Sequence, residues 1–186
     1  MTDLRCRPAF VAAGIAVFVT AGCATRPVAV PPPAPAHPGI TLRNTDRVGF
    51  DETLQEHRGE VVLADFWATW CVPCREQLPH TVDMVRRLGD RGLAVITVSL
   101  DELAKRDDVL KFLQAQGAVV VNLLSDQGGT QAAYDAFDIE GGALPFYRLY
   151  DRKGVARYTF ANDPLAKKQF TPADIERRVE ELLAEQ

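Results

Sequence analysis

Residues 60–79, EVVLADFWATWCVPCREQLP, hold the pattern from which the rest of the chain can be read. The first seven form a short apolar run with β-branched residues, bounded upstream by Gly59, and predict a buried strand over 60–66. From Pro73 the period changes. Leu78, Val82, Val85 and Leu88 recur at three- and four-residue spacings up to Gly89, which predicts a helix over 73–88. Residues 93–100, LAVITVSL, repeat the strand pattern. Strand, helix and strand in that order make a βαβ unit, so the sheet is at least partly parallel, with a right-handed connection.

Further along, a helix over 107–116 is expected to end at Gly117, followed by a strand over 119–124 and a helix over 130–137. Strands over 146–150 and 155–160 flank Asp151-Arg152-Lys153-Gly154, a hairpin signal that implies an antiparallel edge. Thr171-Pro172 followed by Asp174 is an N-cap with proline at the first helical position, and Ile175, Val179, Leu182 and Leu183 give the last helix an apolar stripe. The expected fold is α/β, a mixed central sheet with helices on both faces in three layers, α/β/α. No internal repeat interrupts it.

Composition narrows the function. The 186 residues carry 25 carboxylates against 21 Lys and Arg, a net charge of −4, and are 47% hydrophobic, as in ordinary globular proteins. The mildly acidic balance supplies no footprint for a phosphate backbone, so no nucleic-acid partner is expected. Four cysteines are too few to staple a small disulfide scaffold, so their positions carry the information.

Cys71 and Cys74 form a Cys-x-x-Cys where the first strand passes into the helix. Cys71 falls at or just before the helix N-terminus, where unpaired N–H groups and the helix dipole favour the thiolate. Cys74 lies about one turn in, close enough to close a small ring and more sheltered. Cys71 is therefore expected to attack and Cys74 to resolve. A zinc half-site would need four ligands, and the remaining candidates, Cys6, Cys23, His37, His57 and His80, have no ligand spacing. A purely structural disulfide so short would constrain little chain entropy. Asp65, in the middle of an apolar strand, should have its pKa raised by desolvation toward the range useful for proton transfer, unless it faces water at a strand end.

The run from Val61 to Pro79, with FWATWC-x-PC ahead of a helix, closely resembles the thioredoxin superfamily, and most of all its exported TlpA/ResA-type thiol-disulfide oxidoreductases. The resemblance covers residues 40–186. It implies the thioredoxin-like fold, with 102–121 as the helix–strand insertion of the TlpA-like branch, and no organic cofactor or metal. It makes Cys71 the nucleophile, Cys74 the resolving cysteine and Asp65 the buried proton relay. Pro79 matches the proline that kinks the active-site helix. Trp67 and Trp70 match aromatic residues flanking the dithiol, with plain core packing the alternative for Trp67. Leu144-Pro145 matches the cis-proline position, where the preceding backbone pairs with a substrate chain; a trans proline opening an edge strand is the bland alternative. Trp70, Leu144 and Pro145 are thus the expected substrate-binding residues. Three departures stand out. Gln77 replaces the Glu common in reductases that serve cytochrome c maturation. Strand 93–100 has no lysine to partner Asp65. Leu144, after the flexible pair Gly141-Gly142, is bulkier than the usual Thr or Val.

The N-terminus reads as an address. Arg5 and Arg7 precede an uncharged stretch over 9–21, in the layout of an export signal. Its 13 residues would span roughly 20 Å as a helix, short of the ~30 Å hydrocarbon core, so a permanent span is the weaker reading. Val19-Thr20-Ala21-Gly22-Cys23 resembles a bacterial lipobox, which implies cleavage before Cys23 and lipid on its sulfur; an ordinary secretory signal is the alternative. Ala24 rather than Asp after Cys23 resembles the pattern sorted to the outer membrane in Gram-negative cells. Pro27, Pro31, Pro32, Pro33, Pro35 and Pro38 hold half of the 12 prolines and predict a stalk reaching about 45 Å. The expected organisation is an export signal at 1–22, lipidation site and linker at 23–39, and the folded domain at 40–186.

The leading expectation is an exported, membrane-tethered thiol-disulfide oxidoreductase acting on protein thiols and disulfides, in the reducing direction, fed by a membrane electron donor. Its rivals are a thiol peroxidase, which would want Thr-x-x-Cys where this chain has Thr69 two before Cys71, and a Cu(I)-binding chaperone using Cys71 and Cys74 as soft ligands.

Overall fold

A computed structural model describes residues 39–162, 165, 167 and 169–185. The signal at 1–22, Cys23 and the linker up to Pro38 lie outside the described residues. Eleven elements follow in order: β1 Arg43–Thr45, α1 Arg47–Glu56, β2 Val61–Trp67, α2 Val72–Leu88, β3 Leu93–Ser99, α3 Arg106–Gln116, β4 Val121–Ser125, α4 Gln131–Ala136, β5 Phe146–Tyr150, β6 Ala156–Ala161 and α5 Pro172–Ala184. The six strands form one sheet in the order β1-β4-β3-β2-β5-β6. The β2–β3, β3–β4 and β1–β4 pairs are parallel, while β5 runs antiparallel to β2 and β6 to β5. The mixed sheet with its antiparallel hairpin edge is as expected.

Alternation along β2 sorts the helices into two layers. Phe66 faces one side, where its ring meets Phe50 of α1 at 5.6 Å and Phe137, just past α4, at 5.6 Å. Asp65 and Trp67 face the other. There Thr81 of α2 donates to Asp65, and the Trp67 ring lies 5.2 Å from Phe112 of α3. Ile175, Val179 and Leu182 of α5 close this layer against Val61, Leu63, Tyr147 and Leu149. Because β2 is covered on both faces, all seven of its residues are buried, which is why it reads as a continuous apolar run.

Two elements had no distinct signal. β1 has three residues, and α1 shows only Phe50 and Thr53 buried. The helix starts where Asp46 accepts the Gly49 N–H at 2.9 Å, an N-cap bond. Other differences are at the ends. β4 begins at Val121 because the side chain of Asn122 bonds the carbonyls of Ala118 and Val120, turning the chain before the ladder starts. β6 begins at Ala156 because Val155 belongs to the turn, its N–H held by Asp151 Oδ1 at 3.0 Å. Gly141 and Gly142 adopt φ of 71° and 61°, a left-handed turn that glycine enters without strain.

Candidate active site

The dithiol residues sit where the chain leaves β2 for α2. Cys71 is the N-cap of α2, with Val72 and Pro73 opening the helix. Its sulfur accepts the Cys74 N–H at 3.3 Å, so the free donors of the first turn are aimed at it. Cys71 and Cys74 are joined as a disulfide. Cys71 retains 6% exposure and Cys74 only 1%, so attack from outside reaches Cys71 first. Trp70, 60% exposed, stands beside Cys71 as the large apolar surface of this rim. Pro79 lies inside α2, where it supplies no N–H to the carbonyl one turn back.

Asp65 is 1% exposed in the middle of β2. Burial pushes its carboxyl up to about 7, against a partial pull downward from the Thr81 hydroxyl, which donates to Oδ2 at 3.0 Å. Its other oxygen, Oδ1, has no hydrogen-bond partner among the described residues, nor has Trp67 Nε1. The neighbours of Asp65 in the sheet are Thr97 on β3 and Tyr147 on β5. Thr97 is occupied with Asn122 at 2.9 Å, so no lysine comes from β3, as the sequence indicates. Gln77 accepts from the Tyr147 hydroxyl at 3.4 Å.

The Leu144–Pro145 peptide bond is cis. Since Phe66 pairs with Phe146, Pro145 lies at the same end of the sheet as the loop leading to Cys71. The Leu144 side chain is buried, and its carbonyl accepts the Asn162 side-chain amide at 3.5 Å. Asn162 approaches this backbone, its N–H donating to the Pro145 carbonyl at 3.2 Å.

Asp101 completes the loop and was not singled out from the sequence. It is 1% exposed, and its carboxylate accepts the Thr69 N–H at 2.8 Å, the Thr69 hydroxyl at 2.5 Å and the Ser99 hydroxyl at 2.7 Å. The only hint was a polar Ser-Leu-Asp ending an otherwise apolar strand. Next to it, a groove of about 530 Å³ is lined by Thr69, Trp70, Glu102, Lys105, Asp108 and Gln127. Among the described residues no group of three or more His, Cys, Asp or Glu could hold a metal ion, and no helix is long and apolar enough to cross a membrane.

The AhpC/TSA family matches residues 35–159. The thioredoxin-like protein YneN of Bacillus subtilis is 30% identical over 107 residues, 58% of this chain and 59% of that protein, so the chain spans less than two thirds of YneN. The thiol-disulfide oxidoreductase ResA of Geobacillus kaustophilus is 27% identical over 138 residues, 74% of this chain and 72% of that one. Among solved structures, a candidate thiol:disulfide interchange protein DsbE from Chlorobium tepidum superimposes with a TM-score of 0.55 at 31% identity, over 70% of this chain and 84% of that chain.

Proposed function

The chain belongs to the AhpC/TSA family and has the thioredoxin-like fold of the thiol-disulfide proteins it resembles, and from this we infer that it is a thiol-disulfide oxidoreductase acting on protein thiols and disulfides. The observation that carries the reading is the Cys71–Cys74 pair at the start of α2 on the same side of the sheet as a buried carboxyl with one unpartnered oxygen. In the reducing direction, Cys71 thiolate attacks a substrate disulfide and expels one substrate sulfur as thiolate, which takes up a proton. A mixed disulfide results. Asp65 removes the proton from Cys74, whose sulfur attacks Cys71, closing the internal disulfide and releasing the second substrate thiol. The dithiol is restored by a thiol donor, which we place at the membrane.

Trp70 and the Leu144–Pro145 backbone are the substrate-binding rim, exposed apolar surface beside a strand end to which an extended peptide can add. Cys23 carries the lipid, and the proline-rich segment holds the domain off the membrane on the periplasmic face of the cell envelope, at the outer membrane if the cell is Gram-negative. Loss of metabolically incorporated palmitate in Cys23→Ser tests this anchor.

The peroxidase reading is disfavoured by Thr69. Its hydroxyl is committed to Asp101, and Ala68 occupies the position three before Cys71.

The experiment is the reduction potential of the Cys71–Cys74 pair in the full chain, with Cys71→Ser as control. A value near −270 mV, that of thioredoxin, supports a reductase; one near about −120 mV makes the protein an oxidant. Cys74→Ser should accumulate a mixed disulfide with its substrate, visible as a shift on non-reducing gels that Cys71→Ser abolishes. A pair that does not cycle overturns the reading.

A further inference from the structure

Asp65 is held from the helix that carries the resolving cysteine. Cys74, Leu78 and Thr81 lie at positions i, i+4 and i+7 of α2, one buried stripe facing the sheet. From the inner end of that stripe the Thr81 hydroxyl reaches Asp65 Oδ2 at 3.0 Å, while Oδ1 stays without a partner. The hydroxyl of Tyr147, the β5 neighbour of Asp65, donates to Gln77 Oε1 at 3.4 Å. Among the described residues Tyr147 is the titratable side chain at the carboxyl apart from the dithiol: β3 presents Thr97, α2 presents Thr81, and the buried face of α5 is Ile175, Val179 and Leu182. Among the described residues the Thr81 hydroxyl is the donor to this carboxyl, and a hydrogen bond to it favours the charged form.

We propose that Thr81 is a positioning residue for the resolving step: its hydroxyl ties Oδ2 of Asp65 to α2 and so leaves Oδ1 as the oxygen that exchanges a proton with the Cys74 sulfur. The proposal rests on Asp65 being the proton relay of the function inferred above. A carboxyl gripped at one oxygen cannot rotate freely, so the free oxygen keeps a fixed aim. The proton moves from Cys74 Sγ to Oδ1, the thiolate attacks Cys71 Sγ, and the departing substrate sulfur takes up a proton from solvent. Removing the hydroxyl loses both the orientation and the partial stabilisation of the charged form that offsets burial.

Three forms of the full chain decide it: wild type, Thr81→Val, which deletes the hydroxyl, and Thr81→Ser, which restores it. Two readouts are followed against pH. One is the carboxyl carbon resonance of Asp65. The other is release of the second thionitrobenzoate when the reduced chain reacts with the aromatic disulfide of that thiol, which reports attack by Cys74. Thr81→Val should move both midpoints upward by roughly one pH unit, and Thr81→Ser should leave both within about 0.3 unit of wild type. The proposal is overturned if Thr81→Val titrates as wild type does, or if Thr81→Ser shifts as far as Thr81→Val. It is also overturned if the resonance shifts while the release profile stays. A separate control isolates the underlying reading: if Asp65→Asn releases the second equivalent at the wild-type rate across the range, the relay role itself fails, whatever the Thr81 variants do.

Discussion

At the residue scale the site depends on two buried carboxyls with opposite surroundings. Asp65 has one donor and an orphan oxygen, so burial dominates and the proton is retained near neutrality. Asp101 has three donors from Thr69 and Ser99 and serves to fix the loop before Trp70. Asp101→Ala leaves the half-buried Thr69 donors and the buried Ser99 hydroxyl without this acceptor, and the expected cost is about 2 kcal/mol, read as a lower urea midpoint at unchanged slope. Asp101→Asn keeps an acceptor and should lose less; equal losses would mean that the Thr69 contacts are not what holds the loop. Gly129 shows how closely the rim is packed. A β-carbon there would lie 3.0 Å from the Leu100 carbonyl and 3.4 Å from the Trp70 ring, so the absence of a side chain lets Trp70 rest on this loop.

At the element scale the helices are fixed by end contacts as well as by their buried stripes. The end of α4 is strapped from both neighbouring elements. Arg47 of α1 donates to the Ala136 carbonyl at 2.9 Å and pairs with Asp138, while Arg148 of β5 donates to the carbonyls of Phe137 and Asp138. That strap sets where the chain enters the Gly141-Gly142 turn and the cis-proline. The N-terminus of α3 is tied to the β1 edge by Arg106, which bonds the Leu42 carbonyl and Asn44 Oδ1. α5 relies on a capping box. Thr171 accepts the Asp174 N–H at 3.3 Å, and the Asp174 carboxylate accepts the Thr171 hydroxyl at 2.7 Å and the Thr171 N–H at 3.0 Å, which with the Arg177 guanidinium at 2.8 Å hold this carboxyl down at about 2. Thr171→Ala should cost about 1 kcal/mol and lower Tm by about 4 °C in a thermal melt, with the dithiol potential unchanged. A shifted potential would show that α5 couples to the site, which its capping role does not require.

At the scale of the whole molecule, Asp65 links the site to stability. Its carboxyl stands near 7 in the folded chain against 3.8 as its ordinary value, so between these the folded form binds more protons than the unfolded one. The contribution of this group to stability is therefore greatest below about pH 4, falls as pH rises to about 7, and is flat beyond, a loss on the order of 4 kcal/mol. Asp138, Asp151 and Asp174 are shifted downward and act below that window. Urea unfolding of the oxidised protein at pH 5 and pH 8 should show the part of this fall that lies above pH 5, about 3 kcal/mol, in wild type and little of it in Asp65→Asn, which should be the more stable form at pH 8. Equal pH dependence in both would place the linked group elsewhere. The sequence alone determined the βαβ unit, the hairpin edge, the Cys-x-x-Cys at a helix start and the burial of Asp65, because each is written in local period or in neighbouring residues. It missed α1, whose buried face is only Phe50 and Thr53, and placed β4 two residues early, because Asn122 spends its amide on backbone carbonyls. Thr81, Tyr147 and Asp101 were decided only by tertiary structure. They meet Asp65 and Thr69 from 16, 82 and 32 residues away in the chain, and a hydrogen bond over such a separation leaves no periodic trace; only folding brings donor and acceptor together.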